Sequence, residues 1–415
     1  MKILHVTQGY FPAIGGTETL IQNISEELAR QFGDEVTVFT TNCYNSEGFR
    51  DPSMPRFPVG VEEINKVNVR RFPVRSWVSQ FARYPSAVAY RLKLPFHENL
   101  RWLVSGPIVP GLRRAISQEP ADIIVASSFP LLHMIDALRG AQESCRPCVL
   151  HGGLHPTDKW GFDRSRIYRA IQQSDRYIAN TEFERHYVIE RGAFPEKVIC
   201  IGLGVDPMRF ESVTVEEAKR RFGLVGKSVV GYIGQLGSHK GIDILIQAMP
   251  MIWQSEPDTH LLIAGARAQF AEKLEAMIAQ FPEVNRKKIK LIYNFGEEDK
   301  PWLFGALDVF AYPSGYESFG IAFLEAWMLE KPVIGCRAGA IPWIIQADQD
   351  GLLVNYQDTS MLAEAVLLLL RNPILAQRLG QAGKRKVLKD NTWPQVARKF
   401  RKVYLDAIES RTHTS

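Results

Sequence analysis

Apolar and polar positions along this chain alternate between two periods. Short, nearly continuous apolar runs at residues 3–7, 36–40, 122–126, 148–151, 177–180 and 198–201 predict buried strands. Between the first two, Leu20, Ile21, Ile24 and Leu28 recur at helical spacing. They predict an amphipathic helix that starts at Thr17-Glu18, after a Gly15-Gly16 turn, and stops near Gly33. The pattern restarts after Gly204-Val205-Asp206, with a linking helix over 215–222 and a strand over 228–233. A glycine loop, a helix from Gly241 and strands over 260–264, 289–293, 309–312 and 332–336 follow. Phe400, Tyr404 and Ile408 mark a last helix over 396–410. Strand–helix alternation of this kind predicts an α/β protein with parallel sheets covered on both faces. The expected architecture is two Rossmann-like, doubly wound domains, 1–205 and 206–394, hinged near 204–208, with the terminal helix (about 395–415) packing back on the first. Two such domains facing each other leave a central cleft at the carboxyl ends of their strands, where ligands bind in open α/β sheets.

Length and composition agree with this picture. A chain of 415 residues suits two domains, and 46% hydrophobic with 23% charged residues is a globular profile. Five scattered cysteines provide no disulfide framework, and the lone Cys145-Arg-Pro-Cys148 pattern lacks the second pair or thioredoxin-like context of a zinc or redox site. A reducing, cytoplasmic compartment is therefore expected. The opening apolar run is too short for a signal peptide, and no stretch of 18 apolar residues suggests a membrane span. Charge is uneven: residues 65–114 hold ten Lys/Arg against one acid, Glu98, in a chain whose net charge is only +5. The same segment holds Phe72, Trp77, Phe81, Tyr84, Tyr90, Phe96 and Trp102. A solvated basic face accounts for it, or an anionic partner such as acidic membrane lipid or a phosphate-bearing acceptor. Trp77, Phe81, Tyr84 and Val88 would form one helical stripe, with Pro85 expected to interrupt it.

Two constellations carry chemistry. In the run Gly231 to Gly241 a strand ends, glycines permit close backbone approach, and Lys240 stands just before a helix. Backbone N–H groups, helix dipole and ammonium converge there, which suits a diphosphate. The run lacks GK[ST] and GxGxxG, so it is neither a Walker loop nor a dinucleotide fingerprint, and an ordinary strand–helix turn with a solvated Lys fits it equally. In the run Pro313 to Ala326, Glu317 and Glu325 lie eight residues apart, at the start of and within an otherwise apolar helix. That spacing places them ~80° apart on the wheel and ~12 Å apart in rise, too far for a dyad. Carboxylates in an apolar run are costly unless paired, so a salt-bridged helix is the plain alternative.

These residues resemble a known family. The string ESFGIAFLE, from Glu317 to Glu325, matches the E-x7-E motif of retaining GT-B glycosyltransferases, the large family four ("glycosyl transferases group 1"). The loop from Pro12 to Glu18 looks like the family's P-x-x-GG-x-E, and 174–181 its aD-x-ii strand. The stretch 199–210 resembles its GVD-x-x-x-F link, and Lys331 to Gly335 its G-x-PVI, with Lys where the family usually has Gly. The resemblance implies a metal-independent transferase without cofactor that takes a UDP-, GDP- or ADP-sugar donor and a glycan or lipid-linked acceptor. It implies that Glu317 contacts donor-sugar hydroxyls and that Glu325 holds the ribose. It implies that the amides of Phe319, Gly320 and Ile321, with Lys240, take the diphosphate. It implies that His151 lies near the reacting sugar, that Gly15 and Gly16 admit the donor phosphates, and that Asn294 and Phe295 meet the base. Peripheral contact with the inner face of a membrane through 65–114 is a further expectation.

Two departures stand out. Gln235 occupies a position where the family commonly has an Arg on the diphosphate, and Asn294 replaces a usual Gly. Asp348-Gln349-Asp350 looks like a metal-binding DxD, but it reads as a turn before a strand. A GT-B epimerase or phosphorylase is a weaker reading. Gln235 also keeps open a catalytically silent sugar-nucleotide-binding subunit.

Overall fold

The computed structural model describes every residue except Ile14, Thr157 and 413–415. The chain divides into two compact units, Met1–Gly202 with Trp393–Ser415, and Leu203–Thr392.

In the first unit the strands are β1 (Lys2–Val6), β2 (Glu35–Thr41), β3 (Gly60–Ile64), β4 (Val67–Phe72), β5 (Ile123–Ser127), β6 (Cys148–His151), β7 (Arg176–Ala179) and β8 (Val198–Cys200). They form one sheet in the order β3-β4-β2-β1-β5-β6-β7-β8, parallel except that β3 runs antiparallel to β4. The inner strands are buried along their length, as a mainly apolar strand such as IIVAS must be when helices cover both faces. Leu20, Ile21, Ile24 and Leu28 are the buried face of the Gly16–Phe32 helix, which stops at Gly33 in the left-handed conformation. The Trp393–Thr412 helix packs on that helix. Arg401 reaches Asp34 at 2.8 Å and Arg411 reaches Asp175 at 3.0 Å.

The basic segment 65–114 is not one solvated face. It supplies β4 and two helices, Ser76–Arg91 and His97–Ser105, and Arg71, Arg101, Phe72 and Trp102 are buried. Arg101 donates to the carbonyls of Lys159 and Trp160 and lies over the Tyr90 ring at 4.7 Å. Pro85 does not interrupt the Ser76–Arg91 helix. It lies on the exposed side of the helix, so its ring and the carbonyl it leaves unpaired face solvent instead of the core.

The second unit holds β9 (Ser228–Ile233), β10 (Thr259–Gly265), β11 (Ile289–Tyr293), β12 (Val309–Tyr312), β13 (Val333–Cys336) and β14 (Leu352–Val354). The order is β11-β10-β9-β12-β13-β14, all parallel. Strand order reverses between β9 and β12, so the loops after these two strands flank the switch point of the sheet. The left-handed residue before β13 is Glu330 (φ 56°), not Lys331. Lys331 is instead buried and donates to Gly305 O at 2.9 Å. Glu330, one residue earlier than the sequence comparison placed it, is thus where a glycine would relieve strain. Among the described residues no single helix is long and apolar enough to cross a membrane.

Candidate active site

The loop after β9 and the loop after β12 are joined. Gly315 N donates to His239 O at 2.8 Å, and Ser314, fully buried, turns its own loop by donating to Tyr316 O at 2.8 Å. Gly241 is left-handed (φ 69°), and a Cβ there would overlap Pro313 O. Glycine is therefore required for the two loops to touch. Lys240 ends the 3-10 turn Ser238–Lys240, two residues before the Ile242–Ser255 helix. Its Nζ lies 2.5 Å from Glu317 Oε1 and 5.7 Å from the centre of the Tyr312 ring. Both members of the ion pair are buried to the same degree, with side chains 10% exposed. Tyr312 stacks on Tyr232 at 4.9 Å, and Tyr232 donates its hydroxyl to Gln235 O at 2.8 Å. Burial raises the Tyr312 phenol well above its usual range, with Tyr232 and Glu317 adding to the effect, so it remains a neutral hydroxyl under Lys240.

Glu317 is not on a helix. The helix after β12 begins only at Ile321 and is capped by Gly320 in the left-handed conformation (φ 83°, ψ 58°). The 80° wheel separation therefore does not describe the two glutamates, and the helix mouth lies at Ile321 rather than at Glu317. Glycine at 320 breaks the helical geometry and frees the 317–319 stretch to bend back over Lys240. Glu317 is held by its backbone, whose carbonyl accepts from Ala340 N at 3.4 Å. Among the described residues, the amides of Phe319, Gly320 and Ile321 have no protein acceptor. That is the ordinary state of a helix start, and the helix dipole makes it receptive to an anion.

Glu325 sits inside the Ile321–Met328 helix and is buried. Lys300 Nζ approaches its Oε1 at 2.7 Å, while Oε2 has no partner among the described residues. Burial raises its pKa and Lys300 opposes the rise. Lys300 was not legible in the sequence, since nothing in its surroundings marks it as the partner of a residue on another helix. Gln235 points its side chain to solvent. Asn294 adopts the left-handed conformation (φ 51°), which Asn tolerates better than other non-glycine residues and which explains its place at a usual glycine. Its side chain accepts from Arg267 N at 3.0 Å, and Phe295 beside it is half-buried. Asp350 is consumed structurally: it accepts from Gln346 N at 2.8 Å and pairs with Lys386 at 2.7 Å.

The first unit holds the remaining residues. Gly15 precedes the Gly16–Phe32 helix, and a Cβ there would overlap the Glu18 carboxylate. A Cβ at Gly16 would meet nothing, so the protein itself does not demand glycine at that position. His151 ends β6, with Nε2 2.8 Å from Asn180 Oδ1. Against an amide oxygen, Nε2 carries the proton, and Nδ1 is then a lone pair with no partner among the described residues. Burial lowers His151 to about 4, His133 to about 4 and His5 to about 3, from an ordinary value of 6.5. All three are neutral at physiological pH. Each contributes stability that is complete above 6.5 and is lost as pH falls toward its folded value, at about 1.4 kcal/mol per pH unit. Their ring resonances are expected to stay unchanged between pH 8 and about 5.5 in an NMR titration; a midpoint near 6.5 for His151 would contradict the burial argument.

Behind His151 lies Glu184, which sequence reasoning missed. Its fully buried carboxylate accepts from Gly153 N (2.9 Å), Leu154 N (3.2 Å), Asn180 N (2.9 Å) and Tyr177 OH (2.6 Å). Thr181, three residues earlier, caps the helix by accepting from Glu184 N at 3.2 Å. The Thr-x-x-Glu spacing was the available signal, because it marks a helix start.

Two doubly wound units, one with a Lys–carboxylate pair at its switch point, fit the GT-B fold. The family models described as "Glycosyltransferase Family 4" and "Glycosyl transferases group 1" match residues 14–209 and 214–386, and the chain belongs to this family of transferases. It is 26% identical to D-inositol 3-phosphate glycosyltransferase of Corynebacterium diphtheriae over 95% of this chain and 90% of that one. It is 28% identical to mannosylfructose-phosphate synthase of Agrobacterium fabrum over 59% of this chain and 54% of that one. Among solved structures, Anabaena HepE in complex with UDP and glucose superposes with a TM-score of 0.72 at 17% identity, covering 98% of this chain and 100% of that one. Sucrose-phosphate synthase from Thermosynechococcus elongatus gives 0.71 at 20% identity, covering 99% and 100%.

Proposed function

We propose that this transferase moves a sugar from a nucleoside-diphosphate sugar to an acceptor hydroxyl with retention of anomeric configuration. The observation that carries the reading is the buried Lys240–Glu317 pair between the loops that follow β9 and β12. A diphosphate placed there meets the Lys240 ammonium and the partnerless amides of Phe319, Gly320 and Ile321. Those groups stabilise the negative charge that grows as the glycosidic C–O bond to phosphate breaks. The acceptor oxygen then bonds to the anomeric carbon on the face the phosphate leaves, and its proton passes to a phosphate oxygen. No protein base is required, in keeping with a His151 that is buried and neutral. Glu317, released from Lys240 by the arriving phosphate, accepts hydroxyls of the donor sugar. The free Oε2 of Glu325 accepts from the ribose, with Lys300 balancing its charge. On this reading Gly15 and Gly16 of the first unit admit the donor phosphates, His151 lies near the reacting sugar, and Asn294 and Phe295 meet the base.

UDP-sugars are the first donors to try, because HepE was solved with UDP and glucose. With UDP-, GDP- and ADP-sugars offered in turn, the product is expected to keep the donor's anomeric configuration by NMR. The rate is expected to be unchanged in EDTA, because the charge on the leaving group is met by Lys240 and backbone amides. An inverted product ends the front-face mechanism, and a rate abolished by chelator and restored by a divalent ion ends metal independence. Gln235 supports the second reading, a silent sugar-nucleotide binder, since its amide brings no charge to the diphosphate. Donor binding without turnover across that panel would favour it.

A further inference from the structure

We infer that the Ser76–Arg91 helix docks the protein on an anionic lipid surface. The helix is built inside out. The residues it buries are all small: Ser76, Ser79, Ala82, Ser86 and Ala89. Apart from Val78 and Tyr90, which are partly buried, its large apolar side chains point the other way. Trp77, Phe81, Tyr84 and Val88 fall within a ~60° sector of the wheel, and Leu92 and Phe96, in the turn that follows the helix, are exposed too. All six are about half exposed or more, from 49% at Phe96 to 81% at Tyr84. Water does not select such a surface, and four large apolar side chains exposed along one side of a helix mark an interaction site.

Charge identifies the occupant. Arg83, Arg91 and Lys93 are exposed, and none pairs with a carboxylate among the described residues. No acid occurs anywhere from Ser76 to His97. Apolar and aromatic side chains flanked by unneutralised cations match the boundary between acyl chains and acidic headgroups. A second copy of this chain fits poorly, because a two-fold contact would set the same cations against each other with no acid to receive them. The surface uses none of the donor-loop residues, so the inference stands apart from the proposed reaction.

The test uses the full chain and vesicles of phosphatidylcholine alone or mixed with phosphatidylglycerol. Sedimentation is expected with the anionic vesicles only, weakening as salt rises. Trp77→Ser with Phe81→Ser should reduce binding at least roughly tenfold, as two large apolar groups leave the interface. Arg83→Gln, Arg91→Gln and Lys93→Gln together should reduce it on the order of a hundredfold. All these side chains are exposed, so donor hydrolysis and circular dichroism should be unchanged in both variants, which separates a docking defect from a folding defect. Absence of binding to either vesicle, or equal binding to both, overturns the inference. So does a lipid-free dimer that the Trp77→Ser, Phe81→Ser variant converts to monomer, since the row would then be a protein interface.

Discussion

Replacing Lys240 with alanine is expected to weaken donor binding and to destabilise the second unit at once. Its ammonium is the cation within ion-pair distance of Glu317, and both side chains are nearly buried. Removing one member of a buried pair leaves the other charge uncompensated, at a cost of about 3–5 kcal/mol. Donor affinity should fall separately by about 1.5–3 kcal/mol, the worth of a charged hydrogen bond to phosphate. The two effects part in the double variant Lys240→Ala, Glu317→Gln. That variant no longer buries an unpaired charge, so its urea midpoint should recover most of the loss, while calorimetric titration with UDP should still show weak binding. If the double variant bound nucleotide as the native protein does, Lys240 would be a structural lysine and the diphosphate site would lie elsewhere.

The second large effect lies in the first unit. Glu184→Ala is expected to cost about 4 kcal/mol or more, because four buried donors lose their acceptor at about 1–3 kcal/mol each, less what entering water repays. A loss of that size is a large share of a typical folding free energy of about 5–15 kcal/mol. The donors come from the 151–154 turn, from Tyr177 and from Asn180, which also holds His151. The change should therefore loosen His151 as well as lower the urea midpoint. Gly152→Ala reaches the same cage from the other side, since a Cβ there overlaps Glu184 Oε1 and the Tyr177 hydroxyl. Both variants should fail together. A Glu184→Ala protein with native stability would show that water replaces the carboxylate without loss.

The site was unevenly legible. Lys240 and Glu317 could be picked out because glycines and a carboxylate interrupt apolar runs, and such interruptions are costly without a use. Asn294 fits its position because a short polar side chain tolerates the left-handed backbone. The partners of these residues were hidden: Tyr312 beneath Lys240, Lys300 on Glu325, and Glu184 behind the 151–154 turn. A pairing between separate elements leaves no mark in either stretch of sequence. The helical reading of 317–325 failed at Gly320, where one left-handed residue moved Glu317 off the helix that its spacing implied.

By itself the sequence determined the alternation of strands and helices, the family and the loops that bear the chemistry, because these depend on local periodicity and on residues with special backbone freedom. Only the tertiary structure decided that β9 neighbours β12, which brings Lys240 within 2.5 Å of Glu317. It also decided which side of the Ser76–Arg91 helix faces out. Periodicity reveals that a stripe exists, but the choice between core and surface is made by what packs against the other side, and here small residues met the protein and left the aromatic row exposed.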